Sequence, residues 1–172
     1  MPFQVGRNPK TFEPLVSLLI YNFNYGRYLA ECFDSMLAQS YSNIEIIFSD
    51  NASDDKSWEI ACAYAQKHPG KIHIARNRKN LGTDANLANC HVAKRGNFYC
   101  IVGSDDILHP DFVKTCVDVM IQNPDLMYVM THRFILDENS CRSDEPPFYN
   151  GCYKLYPPSQ NTVYTVSYTH LR

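Results

Sequence analysis

Two adjacent carboxylates in the middle of the chain could bind a metal ion. Asp105 and Asp106 follow the apolar run 98–102, separated from it only by Gly103 and Ser104. Such a run is typical of a buried strand, and α/β folds bind ligands at strand ends. Neighbouring carboxylates repel each other unless a cation lies beside them, and Mg²⁺ or Mn²⁺, often shared with substrate phosphates, suits them best. Taken alone, the pair is better explained as a solvated turn, so the rest of the chain must decide.

The composition excludes several classes of protein. A chain of 172 residues, 45% apolar and 20% charged, is ordinary for one globular domain. The formal net charge of -2 gives no electrostatic reason to expect nucleic-acid binding. No apolar run approaches the roughly 18 residues that a membrane span needs, and residues 1–14 lack a signal-peptide pattern. We therefore expect a cytoplasmic protein with no membrane span in this chain, which could still attach to a membrane through a further C-terminal region.

The seven cysteines favour a reducing compartment. None of them are spaced as C-x-x-C, so a zinc site has no support from spacing. Cys32, Cys62 and Cys116 fall in helical patterns, and Cys100 falls in a strand-like run. Small buried side chains explain these positions best.

Strand-like runs alternate with helical patterns along most of the chain. Alternation of this kind predicts a mostly parallel sheet flanked by helices. The third helix is expected from Asp84 or Ala85, and Pro110 is expected in the first turn of the fourth. After His132 the pattern fails, and residues 143–160 are typical of a loop. The strands are predicted at 15–23, 44–49, 72–75, 98–102 and 126–131, and the first two helices at 28–37 and from Asp54 or Asp55 to His68.

Polar residues follow several of the predicted strands. Asn22 and Asn24 lie at the end of the first strand, Asp50 follows the second, and the Asp105–Asp106 pair follows the fourth. Parallel strands end at one edge of the sheet, so these side chains should lie near one another. No G-x-G-x-x-G or G-x-x-x-x-G-K-[ST] sequence is present, which argues against a dinucleotide-binding Rossmann site and a P-loop. A nucleotide would then be held by side chains and through a metal ion.

Four segments in order resemble family 2 glycosyltransferases. The resemblance covers roughly residues 14–140 and implies a C-terminally truncated GT-A fold, with 1–13 as an N-terminal extension and 141–172 as a loop-rich, incomplete segment. It also implies inverting transfer from a nucleotide-diphosphate sugar to a saccharide or lipid-linked acceptor, in bacterial cell-surface polysaccharide synthesis. The matching segments are 16–24 (VSLLIYNFN), 39–41 (QSY) with 45–54 (EIIFSDNASD), 80–82 (NLG) and 104–106 (SDD).

The resemblance also implies roles for individual residues. Tyr21 and Asn22 would contact the nucleoside, and Asp50 would accept a hydrogen bond from the base. The metal, Mg²⁺ or Mn²⁺, would be bound by Asp105, with Asp106 as an adjacent carboxylate of less defined role. The complete implied set is nucleotide binding by Tyr21, Asn22, Asp50, Asn80, Gly82 and Ser104, and metal binding by Asp105 and Asp106.

The chain departs from the family pattern in two ways. Gly103 stands where the family's D-x-D element has its first aspartate, so one metal contact would be lost. Residues 80–86 with 103–106 resemble a subgroup that includes abequosyltransferases. The second departure concerns the catalytic base, which the family places beyond the D-x-D element. No Glu-Asp pair follows Asp106, and the pair Asp144-Glu145 is not expected to act as this base. We therefore expect the chain to be a fragment that binds nucleotide and transfers sugar poorly, with Asp137 or Glu138 the first alternative bases to test.

Other interpretations stay open at this point. Asp50 could simply cap the loop before the next helix. Asn86 could be a surface residue of its helix or part of the site, and Tyr21 could belong to the core. The chain could be a nucleotide-sugar-binding module without turnover. It could also be a sugar nucleotidyltransferase, although no glycine-rich basic loop follows the first strand.

Overall fold

The computed structural model describes residues 13–129, 131, 135–136 and 169–170. Helices and strands alternate through the first of these ranges, which confirms the predicted β-α order as far as the fourth helix, with the bounds of the first four strands shifted by no more than one residue. In chain order the elements are β1 (Val16–Asn22), α1 (Gly26–Leu37), β2 (Ile44–Asp50), α2 (Ser57–Lys67), β3 (Ile72–Arg76), α3 (Thr83–Ala93), β4 (Phe98–Gly103), α4 (Phe112–Gln122), β5 (Ile135–Leu136) and β6 (Thr169–His170).

The first four strands form one parallel sheet in the order β3-β2-β1-β4. Asn22 is paired with Asp50 across β1 and β2, and Tyr21 with Gly103 across β1 and β4. This register brings the carboxyl ends of the central strands to a single edge, as predicted. β5 and β6 pair in parallel as a separate two-stranded sheet.

Alternate residues of β1 and β2 face two different apolar layers. Leu18, Ile20 and Phe48 belong to a large cluster that also contains residues of α1, α2 and α4. Phe33 of α1 lies at its centre, with its ring centroid 5.6 Å from that of Phe48. On the opposite face, the buried residues Leu19, Ile47 and Cys90 form a smaller cluster with α3. The sheet is therefore covered by helices on both faces.

The predicted fifth strand at 126–131 is wrong for the residues that the structure describes there. Residues 126–129 and 131 lie outside every helix and strand. An apolar run becomes a strand only when another strand pairs with it, and in the described sheet β4 pairs only with β1. The amide of Leu126 instead donates to the carbonyl of Asn123, which closes a turn after α4.

The predicted starts of α2 and α4 lie too early, because the expected residues are engaged elsewhere. The Asp55 carboxylate accepts hydrogen bonds from the amides of Gly26 and Ser57, so α2 begins at Ser57. The Pro110 carbonyl accepts from the amide of Ser40, and α4 begins two residues later. Tertiary contacts thus replace the local signals at both positions.

Several predictions fall outside the described residues, including those on Asp137, Glu138, Asp144 and Glu145. Of the four cysteines predicted as small buried side chains, Cys32 is buried, whereas Cys62, Cys100 and Cys116 are partly buried, and none of the described cysteines forms a disulfide. No helix in the described part of the chain has the length and apolar character to cross a bilayer.

Candidate functional site

The β2 end of the site is built around the Asp50 carboxylate. Asp50 is fully buried. Its Oδ1 accepts from Asn22 Nδ2 at 3.0 Å and from the Ser53 hydroxyl at 2.5 Å, and its Oδ2 accepts from the Ser53 amide at 3.1 Å. These bonds close the turn 50–53, in which Ala52 has a left-handed φ of 61°. The carboxylate therefore stabilises a turn that its sequence alone would disfavour.

Arg76 neutralises Asp50 from the end of β3. Its Nε lies 3.1 Å from Asp50 Oδ2, and its Nη2 donates to the Ser53 carbonyl at 2.5 Å. The guanidinium carbon also lies 5.6 Å from the Trp58 ring centroid. These contacts agree with the alternative that Asp50 caps its loop, and base recognition by Asp50 stays a prediction.

Asn86 joins three parts of the carboxyl edge. Its Nδ2 donates to the carbonyls of Asn22 at 3.2 Å and Ser49 at 3.0 Å. Its Oδ1 accepts from the Ser49 hydroxyl at 2.7 Å and from Asn77 Nδ2 at 3.2 Å. The residue is 1% exposed, so Asn86 is not a surface residue of α3. All the hydrogen-bonding groups of its amide serve to hold the ends of β1 and β2 against α3.

The loop between β3 and α3 is fixed by Asn51. Its Nδ2 donates to Asn80 Oδ1 at 2.8 Å, and its Oδ1 accepts from the amide of Leu81 at 2.9 Å and from Asn77 at 3.0 Å. Gly82 has a φ of 84°, a conformation that favours glycine. Sequence reasoning missed Asn51 and Asn77. The repeated asparagines at loop positions after strands were the signal that could have identified them.

The two carboxylates after β4 have different surroundings. Asp106 is 1% exposed, and its Oδ2 accepts from the Gly103 amide at 2.9 Å. Asp105 is only half-buried. Ser104 is buried and its hydroxyl donates to the Tyr21 carbonyl at 3.0 Å, which ties this turn to β1. Asp105 therefore presents the more accessible carboxylate of the pair.

Gly103 allows this turn to be tight. A Cβ atom at this position would lie 2.7 Å from Asp106 Oδ2 and 3.0 Å from Asp105 Oδ1. Both separations are shorter than ordinary van der Waals contacts. The departure from D-x-D at Gly103 is thus linked to the inward position of the Asp106 carboxylate.

The negative charge of this turn affects the pKa values of two neighbouring side chains. Burial raises the pKa of the Tyr21 phenol, and the charges of Asp106 and Asp105 raise it further. Burial likewise raises the pKa of the Cys32 thiol well above its usual value, with further contributions from the same two carboxylates. A cation would be stabilised in such a field.

Apolar side chains are exposed beside these polar groups. Phe23, directly after β1, is 42% exposed, and Leu81 is 47% exposed. Asn80 and Gly82 are exposed as well, whereas Tyr21 is half-buried. The carboxyl edge therefore combines a negative turn, exposed apolar side chains and fixed asparagines. The sequence analysis does not single out Phe23, because the apolar run 15–23 places it inside the predicted first strand.

The described residues contain no cluster of three or more His, Cys, Asp or Glu side chains placed to bind a metal ion. A divalent cation here would need oxygen ligands from a substrate in addition to carboxylate. Hard oxygen donors are the type that Mg²⁺ and Mn²⁺ prefer, so the donor chemistry at Asp105 fits such an ion.

A family model described as glycosyl transferase family 2 matches residues 17–168. The chain belongs to this family. An uncharacterized glycosyltransferase of Nostoc is 32% identical over 131 residues, which cover 76% of this chain and 40% of that protein. Glycosyltransferase GlyG of Streptococcus pneumoniae is 32% identical over 126 residues, 73% of this chain and 41% of that one. The family 2 chain thus spans about two fifths of the length of these relatives.

Solved structures show the same fold. A mannosyltransferase from Pyrobaculum calidifontis, in complex with GDP-mannose and Mn²⁺, superposes with a TM-score of 0.62 at 19% identity, covering 80% of this chain and 39% of that one. Residues 1–349 of Staphylococcus aureus TarS, in complex with UDP-GlcNAc, give a TM-score of 0.60 at 18% identity, covering 76% of this chain and 37% of that one. The fold is therefore GT-A, as predicted.

Proposed function

We propose that this chain is the donor-binding part of a glycosyltransferase that uses a nucleotide-diphosphate sugar. The observation that carries the proposal is the half-buried Asp105 carboxylate at the carboxyl edge of a GT-A sheet, in a negative turn beside exposed apolar side chains. Family membership supports the reaction class. The negative field at this turn would repel a bare diphosphate, so we propose that the donor binds together with a divalent cation.

Asp105 is proposed as the residue that contacts the cation, with Asp106 holding the turn through Gly103. A bound divalent cation would supply positive charge that stabilises the departing diphosphate. The acceptor hydroxyl oxygen bonds to the anomeric carbon as the carbon–oxygen bond to the diphosphate breaks, the hydroxyl proton passes to a general base, and the configuration inverts. The chain's own contribution is to fix the two carboxylates relative to β1 through the Ser104 hydroxyl and the Gly103 amide.

The nucleoside is proposed to lie against the ends of β1 and β2. Phe23 is the exposed aromatic side chain there and offers a stacking surface, whereas Tyr21 is half-buried beside the carboxylates. Asn80 and Gly82 border this surface through the loop that Asn51 fixes. Asn22 is buried and supports Asp50, so we propose that it acts by shaping the site.

We further propose a saccharide or lipid-linked acceptor and a role in polysaccharide synthesis. Among the relatives, chondroitin synthase of Escherichia coli is 32% identical over 120 residues, which cover 69% of this chain and 17% of that protein. The name of that relative describes the assembly of a polysaccharide. The proposal for this chain rests on that similarity.

Donor hydrolysis tests the proposed function. The chain would be incubated with UDP-, dTDP- and GDP-sugars, with Mn²⁺ or with EDTA, and the released nucleoside diphosphate quantified. Mn²⁺-dependent release from one nucleotide class supports the transferase. Binding of a donor without release would instead support a nucleotide-sugar-binding module. Failure of all three classes to bind with Mn²⁺ would contradict both.

A further inference from the structure

The segment 104–111, which carries Asp105 and Asp106, contains no helix or strand of its own. It connects β4 to α4. Because it lacks regular backbone pairing, its position relative to the sheet depends on contacts with neighbouring elements. A metal-binding carboxylate works only when its position is fixed, so the residues that hold this segment bear on the site.

Side chains of α1 and of the residues just beyond it contact this segment and the end of β4. Cys32 Sγ lies 3.4 Å from the carbonyl oxygen of Gly103, the last residue of β4. The Ser35 hydroxyl accepts from the amide of Leu108 at 3.1 Å and donates to the Cys32 carbonyl at 2.8 Å. The spacing of 32 and 35 is i, i+3, which places both residues on one face of α1. Gln39 follows two residues after the helix ends and continues this stripe.

Gln39 makes the most contacts of this stripe. Its Nε2 donates to the carbonyls of His109 at 2.8 Å and Ser35 at 3.1 Å. Its Oε1 accepts from the amide of Val113 at 3.0 Å, within the first turn of α4, where helix amides have no intrahelical partner. The residue is 9% exposed. One side chain thus fixes the end of the segment and the start of the helix that follows it.

We propose that Gln39 is a positioning residue for Asp105, acting with Ser35 through the backbone of segment 104–111. The proposal rests on the proposed function, in which Asp105 binds a divalent cation with the donor diphosphate. Without Gln39, the Val113 amide loses its partner in a buried environment. The His109 carbonyl loses one of its two partners and keeps the amide of Phe112. The segment can then relax away from α1, and the Asp105 carboxylate moves with it.

The test compares Gln39→Met, which keeps the length of the side chain and removes its hydrogen bonds, with Tyr64→Phe. Tyr64 donates to Asp34 and to the Ala30 carbonyl, so its variant removes α1 hydrogen bonds that do not involve the segment. Amide hydrogen exchange is measured at Leu108 and Val113 without ligand. Binding of UDP, dTDP and GDP is then measured by titration, with Mn²⁺ and with EDTA.

Gln39→Met should speed exchange at Leu108 and Val113 and weaken Mn²⁺-dependent nucleotide binding by about tenfold, equivalent to about 1.4 kcal/mol. Binding in EDTA should not change. Tyr64→Phe should leave the exchange at both amides and the Mn²⁺-dependent affinity as in the wild type. Ser35→Ala, a smaller change, should show the same pattern as Gln39→Met to a lesser degree, and it decides the matter if Gln39→Met does not fold.

Two results would overturn the positioning role. One is unchanged exchange at both amides in Gln39→Met. The other is an equal loss of affinity with and without Mn²⁺, which a general structural defect would cause. If the wild type binds none of the three nucleotides with Mn²⁺, the proposed function fails, while the exchange data still decide whether Gln39 holds the segment.

Discussion

Buried carboxylates lie at both the amino edge and the carboxyl edge of the sheet, where the strands begin and end, but their surroundings differ. At the amino edge, Glu45 is 1% exposed, and its oxygens accept from the Ser17 hydroxyl at 2.7 Å, the Arg95 amide at 2.7 Å and Arg95 Nε at 2.8 Å. The Ser17 hydroxyl also accepts from the Gly96 amide. This edge is a closed network in which each of these hydrogen bonds joins one part of the chain to another.

The carboxyl edge has one closed half and one accessible half. Asp50 is enclosed in the manner of Glu45, with Arg76 in the role that Arg95 plays at the other edge. Asp105 is half-buried in a turn whose negative charge acts on Tyr21, and Phe23 is exposed nearby. A buried carboxylate is thus by itself no sign of a ligand site. Accessibility combined with negative potential distinguishes the proposed site at Asp105 from the structural networks.

Removal of Glu45 should cause the largest loss of stability and little loss of binding. Glu45→Ala removes several hydrogen bonds to a charged group, and we expect the free energy of unfolding to fall by about 3 kcal/mol. Because Arg95 is largely exposed, its charge can be solvated, which limits the cost. Denaturant unfolding measures the loss. A larger effect of Glu45→Ala on nucleotide affinity than on stability would contradict the proposed difference between the amino and carboxyl edges.

Asp50→Ala should affect both stability and binding. The loss of the buried partner of Arg76 should cost about 2 kcal/mol of unfolding free energy. If Asp50 also reads the base, nucleoside diphosphate binding should weaken by a further 1–3 kcal/mol, roughly the value of a charged hydrogen bond. Titration with a sugar phosphate that has no base provides the control. An equal loss for that ligand would show that Asp50 acts only by holding the turn.

Gly103→Ala should disturb the accessible half selectively. The added Cβ would press against Asp106 Oδ2, and overpacking of this kind costs about 1–3 kcal/mol. The Asp106 carboxylate must then leave the Gly103 amide, which should weaken Mn²⁺-dependent nucleotide binding. Gly70→Ala is a contrasting control, because no atom lies within 4 Å of a Cβ there although its φ of 79° adds strain. Normal binding by Gly103→Ala would show that the tight turn is dispensable.

The smallest expected effect is the acid sensitivity of the amino edge. Burial raises the pKa of Glu45, but hydrogen bonds from Ser17 and Arg95 and the charge of Arg95 outweigh it, so the pKa is lowered. The pKa of a glutamate in the unfolded chain is about 4.3. Because the pKa of Glu45 is lower in the folded state, the ionised carboxylate stabilises the fold above about pH 4.3, and this stabilisation is lost as the pH falls through the folded-state pKa. Unfolding measured from pH 6 downwards to about pH 3 should therefore show a smaller acid loss in Glu45→Gln than in the wild type.

Asp55 is a second source of acid sensitivity. Burial raises its pKa, yet the hydrogen bonds from Ser57 and Gly26 produce a net lowering. Asp55→Asn should therefore reduce the same acid loss independently of Glu45→Gln, and the double variant should show the sum of both reductions. An acid slope unchanged in both variants would contradict these assignments.

The positions of the strand ends could be predicted from the sequence, because buried parallel strands appear as apolar runs and parallel strands end at one edge. The enclosure of Asp50 could not be predicted, since Arg76 is 26 residues away and is brought to it only by the pairing of β2 with β3. The burial of Asn86 likewise depends on how α3 packs on the sheet. The run 126–131 looked like a strand because periodicity cannot reveal whether a partner strand exists.

In the proposed function, the carboxyl edge binds a nucleoside diphosphate with a divalent cation through Asp105. Isothermal titration of UDP, dTDP and GDP in the presence of Mn²⁺ measures this binding in the wild type, Asp105→Asn and Glu45→Gln. We expect the wild type to bind at least one nucleotide, Asp105→Asn to lose that binding and Glu45→Gln to retain it. Equal affinity of the wild type and Asp105→Asn would remove Asp105 from the site.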